Sequence, residues 1–188
     1  MKLMERALRK SQAIDVESMC VVAGKHVWSV RVDVCVLDHR GNLTDASMLA
    51  ALAALKHLRL PAVTVEGNGE DASVEIMTPE QAEPTPLVFH HMPVAVSLGF
   101  FRDGADTTAG GGPVSFVVDP SDREEQVMVG GLTVVLNQHS ELCALHKPGG
   151  VPLDGAKLME AVTSAAALAP QMLAMLEEVL EQHRKKLE

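Results

Sequence analysis

Aromatic residues are nearly missing from this sequence: its 188 residues include four Phe, one Trp and no Tyr. So few aromatics give little platform on which successive nucleotide bases could stack. A core must instead be filled by Ala, Val, Leu and the ten Met. Basic residues are outnumbered too, 16 against 25 acids, for a net charge of -9. Affinity for a phosphate backbone comes largely from Lys and Arg, so any contact with RNA calls for more basic partners; the same acidity keeps a protein in solution. Cysteine is scarce, with Cys20, Cys35 and Cys143 far apart and set in apolar runs. An odd count without CxxC or Cys/His ligand spacing argues against a disulfide framework or a zinc site and points to buried free thiols in a reducing compartment. No apolar run approaches the ~18–20 residues of a membrane span. The N-terminal residues are charged and helical in pattern, unlike a secretory leader. The expected location is cytoplasm or nucleus.

The hydrophobic pattern predicts a mixed chain. Leu3, Met4, Ala7 and Leu8 form one stripe of a helix over 1–14. Residues 27–37 alternate strictly, which predicts a strand burying Trp28, Val30, Val32, Val34 and Val36. Asp38 to Asn42 is a turn, followed by an Ala- and Leu-rich helix over about 44–57. Short strands are expected at 63–66 and 73–77 around Gly67-Asn68-Gly69, and the Pro-rich stretch 78–86 reads as a linker. Beyond it come an apolar run at 92–101, a flexible hairpin tip at 103–112, and strands at 114–119, 127–137 and 141–147. From Asp154 the pattern is helical, with Pro170 expected to divide or kink it into helices near 154–168 and 171–186. Strands followed by helices indicate an α+β fold with helices packed on an antiparallel or mixed sheet.

Three collinear stretches carry a further signal: 13–61, with an RVDV-type strand, a Gly-Asn-x-x-Asp-Ala turn and an Ala-rich helix; 90–101 (HHMPVAVSLGFF); and 117–150. Together they resemble the RNase PH superfamily, and within it the non-catalytic ring subunits of the eukaryotic RNA exosome. The resemblance implies an RNase PH-like fold whose first lobe is truncated, since family members carry strands and a helix before the part that begins at Met1. It divides the chain into 1–83, the end of the first lobe, and 84–188, the second lobe. An uncovered sheet edge in such a lobe invites self-association.

Active members degrade RNA from its 3′ end with phosphate as nucleophile. That chemistry needs cationic or hydrogen-bonding groups on the phosphate and a carboxylate pair as general acid or metal ligand. The family's phosphate-holding turn, of Gly-x-Arg-Thr-Ala type, falls here on Gly41-Asn42-Leu43-Thr44-Asp45-Ala46, so Leu43 stands where the arginine would be. On this reading the stretch is simply a turn and helix cap, with Asn42, Thr44 or Asp45 capping. The two active-site aspartates of the family fall on Glu125 and Gly131; the second has no side chain. Residues 119–125 read as a solvated acidic turn balanced by Arg123. The resemblance therefore implies a scaffold rather than a nuclease, the alternative being an active phosphate-dependent 3′→5′ exoribonuclease.

Arg31, Arg59, Arg102 and Lys147 are candidate RNA contacts, although each is more often a solvated surface charge. His90-His91 is an unpromising metal site, because neighbours on a strand point to opposite faces. The expectation is no metal and no cofactor. Implied partners are other RNase PH-like exosome ring subunits and cap proteins, with single-stranded RNA inside the assembly, in nucleus, nucleolus and cytoplasm. No membrane partner is expected.

Overall fold

The computed structural model describes residues 2–67, 73–102 and 113–187. The chain opens with a short helix, α1 (Lys2–Glu5), that widens into a π-helical turn over Arg6–Lys10. Two minimal strands, β1 (Cys20–Val22) and β2 (His26–Val27), pair antiparallel. Helix α2 (Leu43–His57) follows, then β3 (Arg59–Leu60), β4 (Val63–Glu66) and β5 (Ser73–Ile76). Strands β4 and β5 form the expected hairpin. The Pro-rich stretch is not wholly a linker, because its end, β6 (Thr85–Pro86), pairs with β3.

The centre of the molecule is a four-stranded antiparallel sheet in the order β10-β9-β7-β8, built from β7 (Val94–Arg102), β8 (Val114–Val118), β9 (Gly130–Leu136) and β10 (Leu142–His146). The expected hairpin tip at 103–112 lies outside the described residues. Period-two alternation sends Val94, Val96, Leu98 and Phe100 of β7 to one face, together with Leu132, Val134 and Leu136 of β9. All are at most 1% exposed. Covering them is α4 (Gly155–Leu187), whose buried stripe is Ala161, Ala165, Ala169, Leu173 and Leu176. Small residues at i, i+4 spacing let the helix approach the sheet closely, and each fully buried Val or Leu beneath it contributes about 1.5–3 kcal/mol. Ala95 and Val135, on the other face, pack with Leu3, Ala7 and Met48. The fold is α+β, as the sequence pattern indicates.

Four readings need correction. Residues 28–36 are not a strand. A strand requires a hydrogen-bonded neighbour, and beyond Trp28, whose amide donates to the Met19 carbonyl at 2.8 Å, the segment has none among the described residues; Val32, Val34 and Val36 are 39%, 42% and 52% exposed rather than buried. The cysteines are not all buried: Cys20 in β1 and Cys35 in this segment are exposed, and Cys143 is half-buried. Pro170 does not divide α4, which runs unbroken for 33 residues. The proline lies on the solvent side, the buried stripe continues past it, and the Gln171 side chain donates to the Ala167 carbonyl. Length and composition alone make α4 sufficient to cross a membrane; its alanine stripe is instead committed to the sheet, as in an amphipathic core helix. Lastly, 122–127 is a helix, α3 (Asp122–Val127), rather than a turn leading into a strand. Ser121 and Glu124 form a capping box at its start.

Candidate functional site

The Gly41-to-Ala46 turn is held from below by the loop that enters α3. Gly41 bridges Ser121, and the Asp122 amide donates to the Arg40 carbonyl at 2.8 Å. With φ at 107°, and with Pro120 O, Ser121 C and Asp122 N each 2.5 Å from where a Cβ would stand, only glycine fits at position 41. Asn42 follows in the left-handed region, φ 45° and ψ 46°, which Asn tolerates better than most residues. It occupies the N-cap position of α2 but makes no side-chain cap.

Its hydrogen bonds go elsewhere. The Asn42 backbone amide donates to Glu125 Oε1 at 2.8 Å. Its Nδ2 donates to Asp45 Oδ2 at 2.8 Å and to Asp119 Oδ1 at 2.7 Å. Asp45 in turn accepts from the Ser97 amide and the Ser97 hydroxyl, both at 2.6 Å, and Ser97 Oγ meets Thr133 Oγ1 at 2.9 Å. A continuous polar chain thus ties α2 to β7 and β9. Asn42 and Asp45 are both buried. Burial pushes the Asp45 carboxyl above its ordinary range; hydrogen bonds from Ser97 and Asn42 hold it down, and neighbouring Asp119 pushes it further up.

The chemical consequence concerns donors. A bound phosphate needs N–H and O–H groups directed at it. At this turn the Asn42 amide, Asn42 Nδ2, the Ser97 amide and the Ser97 hydroxyl are each bonded to one of the chain's own carboxylates. Three acids, Asp45, Asp119 and Glu125, converge on Asn42, and a further anion would meet their combined repulsion. No set of three or more acid, His or Cys side chains poised for a metal occurs among the described residues.

Of the three positions that the family resemblance singles out, Glu125 is brought to the turn. Leu43 opens α2 with its side chain 37% exposed. Gly131 pairs with Gly99 across β7 and β9, and a Cβ on Gly131 would lie 3.7 Å from Met128 Cε and 3.9 Å from the Leu98 carbonyl, ordinary contacts that leave room for a side chain. The four basic candidates are scattered. Arg31 pairs with Asp33 at 2.9 Å in solvent. Arg59 donates to the carbonyls of Lys56, His57 and Leu58, closing the end of α2. Lys147 donates to the Gly149 carbonyl at 2.6 Å. Arg102 ends β7, with Nε buried and unpartnered among the described residues. Arg102 and Lys147 share one end of the sheet, since β7 and β10 both run antiparallel to β9. The histidines take separate partners: His90 faces Asp15 at 4.0 Å, and His91 Nε2 lies 2.9 Å from the Ser11 carbonyl. Sequence reasoning missed Lys2 and Arg6, which line a cavity of about 590 Å³ together with Leu43, Thr44, Ser47 and His146. Their helical spacing was visible, but nothing in the sequence placed α1 beside the turn.

Residues 1–61 match the first domain, and residues 91–167 the second domain, of the 3′ exoribonuclease (RNase PH) family. The chain belongs to that family. It is 40% identical over 184 residues to the human (Homo sapiens) protein "Exosome complex component RRP45", an alignment covering 98% of this chain and 39% of that protein. It therefore spans about two fifths of that relative's length. Among solved structures it resembles the archaeal exosome core (TM-score 0.71, 27% identity, covering 94% of this chain and 61% of that one). It also resembles the Archaeoglobus fulgidus exosome with RNA bound to the active site (TM-score 0.67, 26% identity, covering 100% and 59%).

Proposed function

We propose that the chain is a non-catalytic ring subunit of the RNA exosome, supporting 3′→5′ RNA processing by forming subunit interfaces and part of the RNA path. One observation carries the non-catalytic reading: the Asn42 amide, Asn42 Nδ2 and the Ser97 amide and hydroxyl are spent on Asp45, Asp119 or Glu125. Leu43 supplies no charge where the family's active members use arginine, and Gly131 supplies no carboxylate. Similarity to an exosome component over nearly the whole chain supports the ring role. We divide the chain functionally at 83/84, with α2 and the Asn42 turn belonging to the first lobe and the four-stranded sheet with α4 to the second. The ring would place it in nucleus, nucleolus and cytoplasm.

RNA contact would be shared with more basic neighbours, given the net charge of -9. Within this chain Lys2 and Arg6, beside Leu43, join Arg31, Arg59, Arg102 and Lys147 as its cationic contribution. Co-expression with other RNase PH-like subunits tests the assembly role. The expected result is a stoichiometric complex that survives size exclusion at moderate salt. A chain that elutes alone, while a full-length relative enters the ring, would overturn it.

A further inference from the structure

His57, the last residue of α2, meets His183 near the end of α4, with ring centroids 5.2 Å apart and planes inclined at 44°. Both residues are exposed. Neither ring makes a hydrogen bond among the described residues. His57 lines a second cavity of about 590 Å³, walled by the end of α2 and by α4. The cations of that cavity are engaged: Arg59 closes α2, Lys56 lies over the Phe89 ring at 5.3 Å, and Arg184 pairs with Glu181 at 2.9 Å. Glu177, on the same wall, has no ion-pair partner among the described residues. Apolar burial does little for this end of α4, since Leu176 is its last buried residue and Leu180 is only partly buried.

We propose that His57 and His183 together bind a divalent transition-metal ion of the zinc class, which ties the end of α4 to the end of α2. Imidazole is the commonest protein ligand for such ions. Two imidazoles on one tetrahedral ion, with metal–nitrogen bonds of about 2.0–2.1 Å, stand with their ring centroids roughly 5 Å apart. The observed separation therefore fits coordination with little movement of either helix. No third acid, His or Cys is poised beside the pair among the described residues, so water fills the remaining positions. Glu177 offers that water a carboxylate to donate to, as the outer partners of metal ligands commonly do. The cavity gives the ion a way in from solvent. Packing of two aromatic rings also tolerates this spacing, but it needs no metal, and the two readings separate on that point. The inference is independent of the ring role, because it concerns neither the Asn42 turn nor a neighbouring subunit.

Titration of the full chain with Zn²⁺ tests it, after treatment with a chelator and in a background of Cys20→Ser, Cys35→Ser and Cys143→Ser that removes competing thiols. Isothermal calorimetry is expected to show a bound ion, and the urea midpoint is expected to rise with Zn²⁺ present, because the ion binds the folded state. His183→Ala and His57→Phe are each expected to weaken that binding about tenfold or more and to abolish the rise. His57→Phe keeps a ring against His183, so it separates ligation from ring packing. His26→Ala, at an exposed position in β2, is expected to bind Zn²⁺ like its parent. In a nuclear magnetic resonance titration with Cu²⁺, the ring signals of His57 and His183 should broaden together, ahead of those of the other histidines. Absence of Zn²⁺ binding up to the precipitation limit of the ion at neutral pH would overturn the proposal. So would binding that survives either His57→Phe or His183→Ala, and so would a rise in the urea midpoint that both variants retain.

Discussion

Replacing Asn42 with Ala probes the polar chain at its centre. The substitution removes the donor that Nδ2 directs at buried Asp45, 2.8 Å away. A hydrogen bond to a charged group in such a place contributes about 1.5–3 kcal/mol. The second bond, to exposed Asp119 at 2.7 Å, adds only about 0.5 kcal/mol. Alanine in the left-handed region costs about 1 kcal/mol more than asparagine. Against these, Asn42 Oδ1 is buried without a partner, and its removal returns about 1 kcal/mol. The net loss is about 2–3.5 kcal/mol, which for a chain of this size lowers Tm by roughly 5–12 °C. Differential scanning calorimetry with a urea titration reads both quantities. Asn42→Gly separates the two causes, because it loses the hydrogen bonds but not the backbone fit, and should cost about 1 kcal/mol less than Asn42→Ala. If Asn42→Ala lies within about 0.5 kcal/mol of wild type, the range of an ordinary surface substitution, the polar chain does not hold α2 to the sheet and the reasoning fails.

Two further variants test other parts of the account. Asp45 has its carboxyl raised by burial, so the folded state binds its proton more tightly than the unfolded state. Its contribution to stability is therefore fully present below the unfolded value and is lost as pH rises through the folded one. Asp45→Asn has no such titration, so its stability relative to wild type should climb from the ordinary carboxylate range upward and flatten beyond the folded value. Urea denaturation at a series of pH values checks the slope, and a difference that is flat or falling would count against a buried, proton-binding Asp45. Pro170→Ala should stabilise the chain by about 1–3 kcal/mol, because it restores an amide donor inside α4 where proline is otherwise costly; an unchanged urea midpoint would mean that the helix has already accommodated the ring.

Much of the fold was legible because the second half of the chain keeps a clean period. β7 alternates Val94, Val96, Leu98 and Phe100 against smaller residues, and α4 repeats Ala161, Ala165 and Ala169 at helical spacing; both patterns report one buried face directly. The same logic misled at 28–36, because alternation reports what a segment can bury and not whether a neighbour is there to bury it. Pro170 misled in the other direction: local propensity argued for a break, and the stripe packed beneath it won. Helix α3 was written in Ser121-Asp122-Arg123-Glu124, a capping-box spacing that its acidic character disguised as a turn. At the site, the absence of charge at Leu43 and of a side chain at Gly131 could be read residue by residue. The engagement of Glu125 and Asp119 with Asn42, and of Ser97 with Asp45, could not, because those partners lie 83, 77 and 52 positions from the residues they bond, and only the folded sheet brings them together.

The central claim is that the Asn42 amide, Asn42 Nδ2 and the Ser97 amide and hydroxyl are committed to the chain's own carboxylates, so that the turn does not hold phosphate for catalysis. The direct measurement is phosphate-dependent release of nucleoside diphosphates from single-stranded RNA, made on the chain alone and again after assembly with its RNase PH-like neighbours. The account predicts that the chain alone releases none. It also predicts that any release by the assembly is unchanged by Glu125→Gln in this subunit. Phosphate-dependent release by the chain alone, or release by the assembly that disappears with Glu125→Gln while the ring stays intact, would contradict it.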